Sequence, residues 1–184
     1  MIISICGKSG SGKSTLAEQI INEFSNAVHL DIDTIGHNVL YIPSVKEELV
    51  KTFGNVLTNE EVDRKKLGAI VFDSPTEMDK LTDITWGWMQ KDINSFIDSN
   101  KNKIIVIDWS LLYKTDYFDK CDIKILLDIP FSLRMKRALK RDKITEEEFR
   151  LREKASLNYD SKRFDYVLKK NKHKELIEEL KKQL

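Results

Sequence analysis

The chain has 184 residues, 31 Lys and Arg against 30 Asp and Glu, and a formal net charge of +1, so no global field exists to recruit nucleic acid or a membrane surface and any anion site must be local. That length supports one domain with a sizeable core, needing neither disulfides nor a structural metal; the two cysteines, Cys6 and Cys121, form no framework and suit a reducing cytoplasm. No run reaches the ~18 apolar residues that span a bilayer, and the first six residues are too short and lack the basic start of a signal sequence.

Residues Ile2 to Cys6 read as a strand buried on both faces, short and rich in β-branched side chains, with turn glycines directly after it. The next stretch, Gly7-Lys8-Ser9-Gly10-Ser11-Gly12-Lys13-Ser14-Thr15, fits Gly-x4-Gly-Lys-Ser, a phosphate-binding loop. Its glycines permit a tight backbone that points successive amides at one centre. Lys13 adds a cation and Ser14 a hydroxyl for Mg²⁺ at the start of a helix, whose unpaired amides favour an anion. Gly7, Ser9, Gly10, Ser11, Gly12, Lys13, Ser14 and Thr15 are thus the expected contacts to a nucleoside triphosphate. The helix spans about residues 13–24, with Leu16, Ile20, Ile21 and Phe24 on the face that packs onto a sheet.

Residues 27–33 read as a second strand delivering Asp31 and Asp33 to the end that faces the ligand crevice in an open parallel sheet. Asp33 is the expected general base, able to accept a substrate hydroxyl's proton; capping the next helix is its alternative role. From 34 to about 100 the spacing turns helical, with Val45, Leu49 and Phe53 and then Leu67, Ile70 and Val71 in register and no evident strand. This block is expected to be a helical acceptor-binding insertion, in which Trp86 and Trp88 serve either as core or as a wall for a flat substrate group.

Ile104 to Ile107 form a third strand that ends in Asp108, the residue expected to position Mg²⁺, with a strand-end cap or a substrate contact as the alternative. Residues 122–128 form a fourth strand, stopped by Pro130. A basic segment follows in which Arg134, Arg137 and Arg141 recur at i, i+3 and i+7, aligning guanidinium groups that suit phosphate oxygens. An arginine on the transferring phosphoryl group contributes on the order of 10³ to 10⁵ in rate. Residues 131–159 would then be a lid that excludes water. Residues 164–168 read as a fifth strand and Asn171 as a residue that reads an adenine edge or makes a turn. Leu176, Ile177, Leu180 and Leu184 form the apolar stripe of a docked final helix. His29, His37 and His173 lack ligand-like spacing, so zinc is not expected. Alternating strands and helices call for a five-stranded parallel α/β sheet with right-handed crossovers.

Taken together these residues resemble the dephospho-coenzyme A kinase family of P-loop kinases over nearly the whole chain. Asp31-Ile32-Asp33 is similar to the family's Asp-x-Asp segment, whose second Asp is regarded as the base for a ribose 3′-hydroxyl. Phe53-Gly54, Asp63-Arg64-Lys65-Lys66-Leu67 and Leu111-Leu112-Tyr113 resemble segments of its acceptor side, which implies acceptor contacts from Arg64, Lys65 and Leu111, with Trp86 added as the candidate wall of that site. Arg137 and Arg141 fall on its lid arginines and Asn171 near its adenine-side Asn.

The resemblance implies a P-loop kinase fold, with a core of 1–33, 101–130 and 160–184, an insertion of about 34–100 and a lid of about 131–159. It also implies ATP and Mg²⁺, dephospho-coenzyme A as acceptor, and Lys13, Asp33, Arg137 and Arg141 as the catalytic set. Trp86-Gly87-Trp88 replaces the family's His-Pro and following Arg, and Lys114 replaces its Glu. Another small-molecule alcohol as acceptor, or nucleotide binding without transfer, therefore stays open. A cytoplasmic monomer or weak homo-oligomer is expected, with no nucleic-acid or membrane partner.

Overall fold

The computed structural model describes residues 1–72, 74–154 and 156–183, so Leu184 of the final apolar stripe lies outside the described residues. The chain forms two compact units, Met1–Leu30 with Asn100–Leu184, and Asp31–Ser99.

The first unit is built on β1 (Ile2–Cys6), α1 (Lys13–Glu23) and β2 (Ala27–Leu30). Its second segment adds β5 (Ile104–Ile107), α6 (Asp116–Asp119), β6 (Ile123–Leu127), α7 (Phe131–Asp142), α8 (Glu146–Lys154), β7 (Tyr166–Leu168) and α9 (His173–Gln183). The five strands run parallel in the order β2-β5-β1-β6-β7. β1 is the central strand, paired with β5 on one side and β6 on the other: Ile3 and Ile5, on one face, are fully buried with Leu16 and Ile20 of α1, Val106, Ile125, and Leu176 and Leu180 of α9, while Ser4 and Cys6 are buried on the other face. Two carboxylates close the ladder at strand entries, Asp122 accepting from the Ile2 amide at 2.7 Å and Asp165 from the Lys124 amide at 2.7 Å. Pro130 ends the β6 segment and stands as the N-cap of α7, where its missing amide costs no helical bond.

The second unit contains α2 (Ile32–Val39), α3 (Pro43–Phe53), β3 (Leu57–Thr58), β4 (Glu61–Val62), α4 (Arg64–Val71) and α5 (Pro75–Ser99). Its own core gathers Val39, Val45, Leu49, Val56, Leu67 and Val71. Gly36 lets α2 approach α5 closely, since a Cβ there would sit 3.3 Å from the Met89 methyl.

Two local readings need correction. The second strand stops at Leu30: Asp31 leaves the ladder to accept from the Thr34 amide at 2.9 Å, so Asp33 lies in the first turn of α2 rather than on an extended strand. The helical block also contains the β3–β4 hairpin. Its two-residue turn, Asn59 at φ 50° and Glu60 at φ 66°, has the left-handed twist of a hairpin turn without the glycine that announces one. Lys46 replaces that signal by donating to the Glu60 carbonyl at 2.8 Å and to Glu61 at 3.0 Å. Among the described residues no helix is long and apolar enough to cross a membrane.

Candidate active site

β1 delivers the phosphate loop at its carboxyl end, between the ends of β5 and β6. The loop is compact because the Ser11 amide bonds the Lys8 carbonyl at 3.1 Å and the Lys13 ammonium reaches back to the Gly7 carbonyl at 3.0 Å. Gly10 has φ +77°, and a Cβ there would stand 2.4 Å from the Arg134 carbonyl oxygen, so the loop rests directly on α7. Gly12, at φ +98°, is the N-cap of α1 and makes no side-chain cap; no acidic residue occupies the first helical turn. The first turn of α1 thereby directs its amides, those of Ser14 and Thr15 among them, towards an anion, with the positive end of the helix behind them. The Ser11 hydroxyl, buried inside the loop, has no hydrogen-bond partner among the described residues. An uncapped helix start and an orphaned buried hydroxyl both fit phosphate oxygens.

A cavity of about 330 Å³ opens on this loop, within the range of small-molecule sites. It is lined by Lys13, Ser14 and Thr15 from the loop, Leu111 from the 3-10 turn Ser110–Lys114, and Arg141 and Arg152 from α7 and α8. Tyr159 lines it too, its hydroxyl donating to the Ser110 carbonyl at 3.0 Å. Burial raises the phenol pKa, which keeps it a donor. Arg141 is paired with Asp142 at 2.6 Å, and the same carboxylate accepts from Arg152 at 2.8 Å. The hydrogen bond from Arg141 is the main reason the Asp142 carboxyl lies below the ordinary carboxylate range.

The three arginines of α7 do not act alike. Arg137 spans the loop and the last strand's exit, donating to the Ser11 carbonyl at 3.3 Å and to the Asn171 side-chain oxygen at 3.2 Å. Arg134 is 5% exposed and fully engaged, its Nε on the Ile129 carbonyl at 2.8 Å and its two terminal nitrogens on Glu153 at 2.8 and 3.0 Å. Shared helical spacing predicts a common side but not a common partner, and the row of three phosphate-facing forks is corrected on that ground.

Asp108 follows β5 beside β1, and the imidazole of His29 on β2 meets its carboxylate. No group of three or more His, Cys, Asp or Glu side chains able to hold a metal exists among the described residues. Ser14, at the start of α1, and Asp108, after β5, are the residues that could hold a divalent cation. His173 is buried with Nδ1 on Gln19 at 3.0 Å. Burial, and then Arg137, lower its pKa. Burial pushes the Cys6 thiol up to about 12 and the Cys121 thiol up to about 11, so both remain protonated and inert at neutral pH.

The remaining expected contacts belong to the second unit: Asp33 exposed in the first turn of α2, Arg64 and Lys65 exposed at the start of α4, and Trp86 half-buried in α5. Sequence reasoning missed Lys8, Arg152 and Glu153 as members of the loop's surroundings. A lysine at the loop's first variable position was the one local sign; the partners lie about 145 residues downstream.

The family model described as "CoaE: Dephospho-CoA kinase" matches residues 1–175. A protein of Aquifex aeolicus named dephospho-CoA kinase is 34% identical over 172 residues, covering 90% of this chain and 86% of its own. A crystal structure from Thermus thermophilus superposes with a TM-score of 0.83 at 24% identity, covering 100% of this chain and 95% of that one. A dephospho-CoA kinase structure from Campylobacter jejuni gives 0.64 at 22% identity over 99% and 98%. At those identities the two structures establish the fold.

Proposed function

Since the chain belongs to the dephospho-CoA kinase family, we propose that it transfers the γ-phosphoryl group of ATP to the ribose 3′-hydroxyl of dephospho-coenzyme A, giving coenzyme A and ADP. The observation that carries this reading is the uncapped, acid-free start of α1 behind Gly12, opening into a cavity ringed by Lys13, Arg141 and Arg152. That arrangement is built for a chain of phosphates rather than for a single carboxylate.

The loop amides and Lys13 cradle the β- and γ-phosphates, and Arg141 with Arg152 neutralises charge that builds on the transferring group. Arg137 fixes the loop through Ser11 and faces the nucleotide side with Asn171. Ser14 and Asp108 would hold Mg²⁺, which would supply positive charge at the phosphates. Asp33 accepts the acceptor's hydroxyl proton as the new oxygen–phosphorus bond forms and the bond to the β-phosphate oxygen breaks. Arg64, Lys65, Trp86 and Leu111 contribute to the acceptor's binding surface. Positioning and charge neutralisation carry nearly all of the rate, because the protein itself makes no covalent bond.

The test incubates purified protein with ATP, Mg²⁺ and dephospho-coenzyme A and reads the products by mass spectrometry. Coenzyme A with stoichiometric ADP is expected. Phosphorylation of a different alcohol, with dephospho-coenzyme A untouched, would overturn the acceptor assignment.

A further inference from the structure

Glu153 lies on α8, away from every position that the loop motif marks, yet its carboxylate is the hub on which the phosphate loop is fastened. Oε1 accepts from the Lys8 ammonium at 2.9 Å and from Arg134 at 3.0 Å, while Oε2 accepts from Arg134 at 2.8 Å. Both cations then reach the loop's first limb. Lys8 is part of it and holds the Ser11 amide through its carbonyl; Arg134 donates to the Ser9 carbonyl at 3.3 Å. The Arg134 main chain supports Gly10 from beneath at the same point.

We infer that Glu153 is a positioning residue of the phosphate loop: from α8 it holds Lys8 and Arg134 in place, and so makes the loop's grip on phosphate depend on the docking of the lid helix. Arg134 is nearly fully buried and, among the described residues, is paired with the Glu153 carboxylate, so loss of that carboxylate leaves a charge that cannot stay where it is without compensation. The guanidinium is then drawn towards water and away from the Ser9 carbonyl. Lys8, with a quarter of its side chain exposed, swings out with it. Both motions loosen residues 8–11, whose amides and carbonyls shape the cradle. Small displacements of such a cradle are costly, because transfer depends on reacting atoms held in near-attack geometry. The reverse coupling holds as well: a nucleotide that orders the loop also holds α8 down over the cavity that Arg152 lines.

The inference rests on the reading that this loop binds ATP, and the experiment separates the two. Glu153→Gln removes the charge at constant shape. The paired variant Arg134→Met with Glu153→Leu replaces the ion pair by apolar groups of similar volume, a change that buried pairs often tolerate without loss of stability. Measurements are hydrogen exchange of the Ser11 amide without nucleotide, KM for ATP, KM for dephospho-coenzyme A, and thermal midpoint. Expected for Glu153→Gln are faster exchange at Ser11 and an ATP KM raised by roughly tenfold to a hundredfold, with the acceptor KM within about twofold of wild type. The paired variant is expected to melt near the wild-type temperature and still show the raised ATP KM. Unchanged exchange in Glu153→Gln, or a paired variant with the wild-type ATP KM, overturns the proposal. Exchange reads the latch with no nucleotide present, so a wild-type chain that failed to bind ATP would count against the functional reading and not against the latch.

Discussion

At Gly10 the absence of a side chain is a spatial requirement as much as a conformational one. The backbone sits at φ +77° and the α7 carbonyl of Arg134 would lie 2.4 Å from a Cβ, a rigid neighbour that cannot swing away. Gly10→Ala should therefore distort the loop, raising the ATP KM by at least about tenfold and lowering the melting temperature; steady-state kinetics and a thermal scan read both. The loop was legible in the sequence because the motif is a local device, in which each glycine, Lys13 and Ser14 acts within nine residues. Asp33 was legible as a chemical group but not in its setting. Asp31 takes the capping bond at 2.9 Å, and a cap two residues upstream of the expected one turns an extended pair into a helix start. Arg134 misleads for a similar reason, since helical spacing fixes a direction while Glu153, from another helix, fixes the partner.

At the scale of elements, α8 owes its start to a reciprocal cap. The Thr145 amide donates to Glu148 at 2.7 Å and the Glu148 amide to the Thr145 hydroxyl at 3.2 Å, so two helix-start donors are satisfied at once. Thr145→Ala should cost about 1 kcal/mol in urea unfolding and should also raise the ATP KM, because α8 carries Glu153 and Arg152. α7 and α8 gather carboxylates held below their ordinary range: Asp142 chiefly by Arg141, Glu148 chiefly by the Thr145 amide, and Glu153 chiefly by Arg134. A depressed carboxyl contributes stability that is complete above its unfolded pKa and is lost as pH falls through its folded one. α7 and α8 should consequently loosen below about pH 4. Pepsin, active in that range, should cut within residues 131–154 before it cuts the sheet; simultaneous cleavage of both would refute this. The apolar β-branched strands were easy to read because each declares its burial alone. The β3–β4 hairpin was not, since its turn is held by Lys46 of α3.

For the whole molecule, the phosphate loop and Asp33 fall in separate compact units, Met1–Leu30 with Asn100–Leu184 and Asp31–Ser99. On the proposed mechanism nucleotide grip and proton acceptance would fall to parts of the chain with distinct cores, and they should separate under mutation. Asp33→Asn is expected to cut turnover by orders of magnitude while ATP at a hundred times its Kd still stabilises the protein by about 2.7 kcal/mol. Calorimetric melting with and without ATP, beside a turnover assay, reads the two effects; loss of the ATP-dependent shift in this variant would show that Asp33 belongs to the nucleotide's own grip.

The central place of β1 also has a consequence for biosynthesis. Its ladder partners are Ile105–Ile107 on one side and Ile123–Leu126 on the other, each about a hundred residues later in translation. At roughly 5–20 residues per second, a ribosome leaves Ile2–Cys6 without either neighbour for some seconds. During that interval this apolar, β-branched strand is an aggregation hazard, and the helices encoded between it and β5 are available to shield it.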